Sequence, residues 1–347
     1  MENKIKVIGV QEFLQEAMEF TVVDVRSPAE FTHGHIPGAV NIPLFSNDER
    51  ASVGTIYKRK GEKEASLKGL DYVGPKMSEL LKKGISTVAD KGKLLVHCWR
   101  GGRRSASMAW LFSQAGIECI LLDGGYKSYR QYVLETLADK RNIIVVGGMT
   151  GSGKTDVLKQ IARTDEQVID LEGLANHRGS AFGAIGMPPQ PTTEQFSNLL
   201  FNEIVALDPK KRIFLEDESL NIGSVFMPED FYNRIRESRV LALMCDVKTR
   251  MPRLLEEYGK MPEEMLENSI NRIRKRLGGK DADEALKSIR DDNMERAIEI
   301  VLSYYDKFYT YGLSRRDKSM VTSIESDSGD ASVNAKKILD TADDMGL

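Results

Sequence analysis

The sequence predicts an α/β protein made of two successive parallel-sheet domains, the second carrying a helical C-terminal portion. Three observations predict it. Over the first 137 residues, short β-branched runs alternate with helix-forming stretches, the pattern of a parallel sheet covered by helices. After the polar run at 138–142, a new strand, a glycine-rich turn and a helix follow in order. From Pro262 onward, apolar side chains recur at helical spacing.

In chain order, residues 21–25 (TVVDV), 94–97 and 120–122 read as buried strands. Residues 11–19, 77–83, 105–114 and 126–138 read as helices, and 33–41, with Gly34, Pro37 and Gly38, as a loop. The polar, glycine-dotted stretch 48–71 belongs on the surface. The domains are therefore 1–137 and 138–347. In the second, 142–146, 168–170, 212–215 and 240–244 are candidate strands, and a helix opens at Lys154. Pro262 with Glu263 and Glu264 starts a helix that Gly278 and Gly279 stop. One long helix is expected over 283–308, and a polar, partly mobile tail over 323–347.

Composition narrows the function classes. The 347 residues are 41% hydrophobic and 29% charged, with a net charge of −3, which suits a globular chain and excludes a wholly basic nucleic-acid binder. Three cysteines, Cys98, Cys119 and Cys245, make neither a disulfide framework nor a C-x-x-C structural metal site. Residues 1–10 lack the apolar core of a signal peptide, and no apolar run approaches membrane-spanning length. A cytoplasmic protein without membrane association is the expectation; the oligomeric state is left open.

The first chemical signal is Val96-His97-Cys98-Trp99-Arg100-Gly101-Gly102-Arg103-Arg104-Ser105. A strand ends, a cysteine follows at once, and a helix begins after two glycines and three arginines. Cations and a helix N-terminus favour the thiolate, the nucleophilic form of cysteine. Glycines let the backbone N–H groups of such a loop turn toward an anion. Cys98 is thus the candidate nucleophile, with Arg100, Gly101, Gly102, Arg103 and Ser105 as its anion cradle. Cys119 and Cys245 sit in apolar segments and read as structural. With Asp24-Val25-Arg26-Ser27-Pro28-Ala29-Glu30-Phe31 and Gly34-His35-Ile36-Pro37-Gly38-Ala39, this loop resembles the rhodanese family, which passes sulfur or selenium through a cysteine. The resemblance covers roughly residues 5–137. It makes Cys98 the acceptor, and Asp24, Arg26 and His35 supports of the scaffold.

The second signal is Gly148-Met149-Thr150-Gly151-Ser152-Gly153-Lys154-Thr155, which fits G-x-x-x-x-G-K-S/T between a strand and a helix. This predicts a P-loop NTPase-like α/β domain. Gly148, Gly151, Ser152 and Gly153 would cradle phosphate oxygens, Lys154 would neutralise them, and Thr155 can ligate Mg²⁺. Such a loop recognises a di- or triphosphate and does not by itself prove nucleotide hydrolysis. Glu216, Asp217 and Glu218, at the end of a predicted strand, are candidates for metal or substrate contact. So are His177 and Arg178 in the glycine-rich stretch 171–183. No tightly bound cofactor is expected.

The two halves, joined through L-E-G-L-A-N-H-R-G-S-A-F-G and L-E-D-E-S, resemble the tRNA 2-selenouridine synthase family over nearly the whole chain. That resemblance implies a transferase acting on wobble 2-thiouridine of tRNA. Geranyl diphosphate would first alkylate the sulfur; selenium from selenophosphate would then replace the geranylthio group by way of Cys98. Arg272, Arg274, Lys275 and Arg276, with Arg234, Arg236 and Arg239, are candidate RNA contacts, although ordinary charged helix faces look the same. Tyr304, Tyr305, Phe308, Tyr309 and Tyr311 would stack on bases, line an isoprenoid pocket or simply fill core. A P-loop kinase or NTPase with a sulfur-sensing first domain is the alternative.

Overall fold

The computed structural model describes residues 5–88 and 91–347; the first four residues of the N-terminal stretch discussed above lie outside the described residues. The chain divides into two compact units. One ends at Thr136 and takes in Ser197–Leu199; the other comprises Leu137–Phe196 and Leu200–Leu347.

The first unit runs β1 (Ile5–Ile8), α1 (Val10–Glu16), β2 (Thr21–Asp24), α2 (Pro28–His33), β3 (Val40–Asn41), α3 (Asn47–Lys60), α4 (Glu62–Val73), α5 (Met77–Val88), β4 (Lys93–His97), α6 (Arg103–Ser113), β5 (Glu118–Leu122) and α7 (Gly125–Ala138). Its strands form one five-stranded sheet in the order β1-β5-β4-β2-β3, parallel throughout. The β-branched and leucine runs fill its core: Val23, Leu94, Val96, Met108 and Phe112 have essentially no solvent exposure. The surface stretch at 48–71 is helical. Ser46 and Glu49 form a capping box at the start of α3, and Gly61, at φ +89°, separates α3 from α4. Only Ala65 and Gly69 of α4 are buried.

The second unit runs β6 (Ile143–Gly148), α8 (Lys154–Ile161), β7 (Gln167–Ile169), α9 (Leu171–Ala175), α10 (Thr193–Ala206), β8 (Ile213–Glu216), β9 (Asn221–Ile222), β10 (Val225–Phe226), α11 (Glu229–Glu237), β11 (Arg239–Met244), α12 (Val247–Tyr258), α13 (Glu263–Leu277), α14 (Gly279–Arg290), α15 (Met294–Ser314), β12 (Val321–Glu325) and α16 (Ala331–Asp344). Strands β12-β11-β6-β8-β7 form a second five-stranded sheet, again parallel. No helix among the described residues is long and apolar enough to cross a membrane.

Two expectations are corrected here. The helix expected over 283–308 is two helices. Asp292 takes a positive φ of 56°, and the Asn293 side chain accepts from the Arg296 N–H to start α15 afresh. An apolar period continues across this break, so periodicity alone did not reveal it. The tail at 323–347 is not loose. It supplies edge strand β12, paired with β11, and α16, whose Ile338 and Ala342 are fully buried against Ile144, Val157 and Leu241.

In each sheet the chemically suggestive loop leaves the carboxyl end of the central strand: Cys98 follows β4, and the glycine loop follows β6. Neighbouring connections run to opposite sides there, which opens a crevice at the strand ends.

Candidate active sites: a cysteine loop and a phosphate loop

Cys98 is 3% exposed. Its Sγ lies 3.3 Å from the Ser105 hydroxyl, whose single proton has the Gly102 carbonyl, 3.0 Å away, as its other acceptor. Burial pushes the thiol up, but the Ser105 hydroxyl, the backbone N–H groups of Ser105 and Arg100 and the charge of Arg104 hold it below the ordinary cysteine value. The other two thiols move the opposite way. Burial pushes Cys119 up to about 12 and raises Cys245 as well. Cys98 is therefore the thiol whose surroundings favour the nucleophilic form.

The loop is fixed from behind. Cys98 and Trp99 accept backbone bonds from Tyr126 (2.8 Å) and Lys127 (2.9 Å) at the start of α7. Gly125, at φ +62°, meets the loop so closely that a Cβ there would collide with Gly101 N and Cys98 O. The Gly124-Gly125 turn carried no recognised signal in the sequence, and its role follows from this contact. Deeper in the unit, Arg26 and Asp24 form a buried bidentate pair, with Nη2 2.6 Å and Nε 2.9 Å from Oδ2. Arg26 also donates to the Gly34 carbonyl at 2.6 Å and stacks 3.7 Å from the centre of the Tyr126 ring. The His35 ring stacks on Phe31, with centroids 4.0 Å apart. These contacts brace the turn beside the loop.

The three arginines have different surroundings. Arg103 pairs with Glu62 and donates to the Ser66 hydroxyl. Arg104 is forked onto Glu30 at 2.8 and 3.3 Å. Among the described residues, no carboxylate pairs with Arg100, whose side chain is exposed. Of the cations expected around the cysteine, Arg100 is the one left available to an incoming anion.

In the second unit, Gly148–Thr155 borders a cleft of about 1380 Å³. Gly153 takes the left-handed conformation that starts α8, and the Arg253 guanidinium packs where its Cβ would be, 2.9 Å away. Arg253 pairs with Asp156. Arg250 braces the loop by donating to the Thr150 carbonyl at 2.9 Å while paired with Asp306 at 2.6 Å. Lys154 reaches the Gly148 carbonyl at 3.1 Å. The Thr155 hydroxyl donates to Glu172 at 2.9 Å.

The acidic residues separate by position. Glu218 lines the cleft beside Glu172. Burial and the Glu172 carboxylate push the Glu218 carboxyl up to about 8, against the pull of Lys154. Asp217 lines the cleft too, but its Oδ1 is held at 2.6 Å by the buried Arg316. Glu216 turns away from the cleft to accept from the Leu171 N–H at 2.9 Å, and burial keeps its pKa well above the carboxylate norm. His177 is also buried off the cleft, whereas Arg178 lines it and pairs with Glu257 at 2.8 Å. Glu216 and His177 are thus corrected as candidates for metal or substrate contact, because their side chains do not reach the cleft. Glu172 was missed. It lies within the quoted phrase L-E-G-L-A-N-H-R-G, but only the fold shows that it faces Thr155.

Among the described residues, no three His, Cys, Asp or Glu side chains are grouped to hold a metal alone. The Thr155 hydroxyl with the Glu172 and Glu218 carboxylates nevertheless fits Mg²⁺, which takes hard oxygen ligands, uses one or two carboxylates and keeps water and phosphate oxygens for the rest.

Residues 141–337 match the family model of the tRNA 2-selenouridine synthase AAA domain, and residues 10–132 match that of the rhodanese-like domain. A tRNA 2-selenouridine synthase from Shewanella oneidensis is 34% identical, the alignment covering 85% of this chain and 86% of that protein. The chain belongs to the tRNA 2-selenouridine synthase family. Another tRNA 2-selenouridine synthase, from Nitrosomonas europaea, is 36% identical over 68% of this chain and 63% of its own length. Among solved structures, a rhodanese-related protein from Thermoplasma volcanium is 21% identical, covers 37% of this chain and 92% of its own, and gives a TM-score of 0.24. Family membership agrees with both motifs, the rhodanese-like one around Cys98 and the P-loop that opens α8.

Proposed function

We propose that this member of the tRNA 2-selenouridine synthase family converts wobble 2-thiouridine of tRNA to 2-selenouridine in two steps, one at each loop. In the first, the 2-thio sulfur attacks C1 of geranyl diphosphate. The carbon–oxygen bond breaks, diphosphate leaves with the electron pair, and the uracil loses its N3 proton. The Gly148–Thr155 backbone and Lys154 hold the diphosphate as its charge grows, with Arg253 as a second cation beside Gly153. A Mg²⁺ ion on Thr155, Glu172 and Glu218 would neutralise further charge. Burial and the Glu172 carboxylate favour the protonated form of Glu218, so a cation there competes with that proton and binds better as pH rises.

In the second step, selenium from selenophosphate is released at Cys98: the thiolate attacks phosphorus, the P–Se bond breaks and hydrogen selenide leaves, and water then cleaves the S–P bond to return the thiol and phosphate. The selenide attacks C2 of the geranylated base, the C2–S bond breaks as the C2–Se bond forms, N3 regains a proton and geranylthiol leaves. The lowered thiol of Cys98 and the available Arg100 suit an anionic chalcogen donor. The observation that carries this reading is the pairing of a thiolate-favouring cysteine loop with a phosphate loop in one chain of this family.

The test is S-geranylation of 2-thiouridine tRNA by Lys154→Ala, read by nucleoside mass spectrometry. A loss of at least about 100-fold is expected, the scale of removing one charge-stabilising donor. Undiminished geranylation, or phosphate release from a nucleoside triphosphate that is independent of Cys98, would favour the nucleotide-hydrolase alternative.

A further inference from the structure

Tyr304, Phe308 and Tyr311 of α15 and Arg315 at its C-cap are spaced i, i+4, i+7, i+11 and so fall on one stripe. Phe308 and Tyr311 are 58% and 60% exposed, although both line the phosphate-loop cleft. Tyr304 and Phe308 stack with centroids 6.3 Å apart, and Arg315 lies 5.9 Å from the Tyr311 ring. Arg236 and Arg315 line the cleft and, like Lys154, form no salt bridge with a carboxylate among the described residues. Aromatic faces open to water beside unpaired arginines match single-stranded nucleic acid, in which bases stack on rings and phosphates meet cations. A greasy chain would instead favour the sunken side chains of the same cleft, such as Leu254, which is 1% exposed.

We infer that the Phe308–Tyr311 face of α15 is the platform on which unpaired anticodon-loop bases stack, holding the 2-thio sulfur at the mouth of the diphosphate cleft. This rests on the proposed function and adds the surface that receives the RNA. Arg236 and Arg315 hold the flanking phosphates, and the aromatic pair holds the bases.

The experiment is fluorescence anisotropy of a labelled anticodon stem-loop RNA carrying 2-thiouridine in its unpaired loop, titrated with the full chain at several salt concentrations. Phe308→Ala with Tyr311→Ala is expected to weaken binding about 10-fold or more and leave the salt slope unchanged, because no charge is removed. Phe308→Tyr and Tyr311→Phe are expected to retain binding, which separates stacking from folding. Calorimetric titration with geranyl diphosphate is expected to be the same for all variants. Unchanged RNA affinity in the double alanine variant overturns the platform. So does a selective loss of geranyl diphosphate binding, which would assign the rings to the alkyl chain. Conversion of 2-thiouridine by the unaltered chain is read in parallel. If that conversion is present while the alanine variants bind RNA normally, only the platform fails; if it is absent, the proposed function fails first.

Discussion

Cys98 lies in the loop before α6 and Ser105 in the first turn of that helix, and the hydroxyl lies 3.3 Å from the sulfur. Burial works against the thiolate, and hydrogen bonding reverses it. Ser105→Ala removes the side-chain part of that reversal. The midpoint of the pH profile for iodoacetamide alkylation of Cys98 is then expected at higher pH, with an unchanged melting curve as control; an unmoved midpoint would show that Ser105 does not tune the thiol. Residue-level chemistry was legible where local sequence creates it. C-W-R-G-G-R-R-S announces its own electrostatics. Partners brought from afar were not legible: Glu62 and Glu30 claim Arg103 and Arg104, and Glu172 reaches Thr155 across 17 residues.

Helices α12 and α15 meet at the phosphate loop through Arg250, which is 1% exposed at its side chain, and Asp306. The guanidinium also donates to the carbonyls of Cys245 at 3.1 Å and Thr150 at 2.9 Å, so one ion pair ties both helices to the loop. Asp306→Ala leaves that buried charge without its carboxylate. A loss of about 3 kcal/mol in urea denaturation is expected, with Asp306→Asn costing less because an acceptor remains. A cost below about 1 kcal/mol would mean that the pair is not a brace. Elements defined by strong local patterns, such as TVVDV, the strand before Gly148 and the Pro262-to-Gly278 helix, stood out in the sequence. The break between α14 and α15 did not, since three polar residues interrupt an apolar period that continues beyond them. Strand β12 and α16 were hidden for another reason. They are amphipathic, and their polar halves dominate the composition, while Ile338 and Ala342 contribute only a narrow buried stripe.

At the scale of the whole molecule, two parallel sheets each present one reactive loop at the end of the central strand. The two proposed chemistries would each have such a loop to work from. A central parallel strand leaves a crevice between neighbouring connections, bordered by a thiol in one unit and by the glycine-rich loop 148–155 in the other. If each loop performs its own step, disabling the cysteine must stop the exchange of sulfur for selenium and spare the alkylation before it. The decisive measurement is nucleoside mass spectrometry of 2-thiouridine tRNA after incubation of Cys98→Ala with geranyl diphosphate and selenophosphate. The account predicts accumulation of geranylthiouridine with no 2-selenouridine. Formation of 2-selenouridine at the level of the unaltered chain would contradict it.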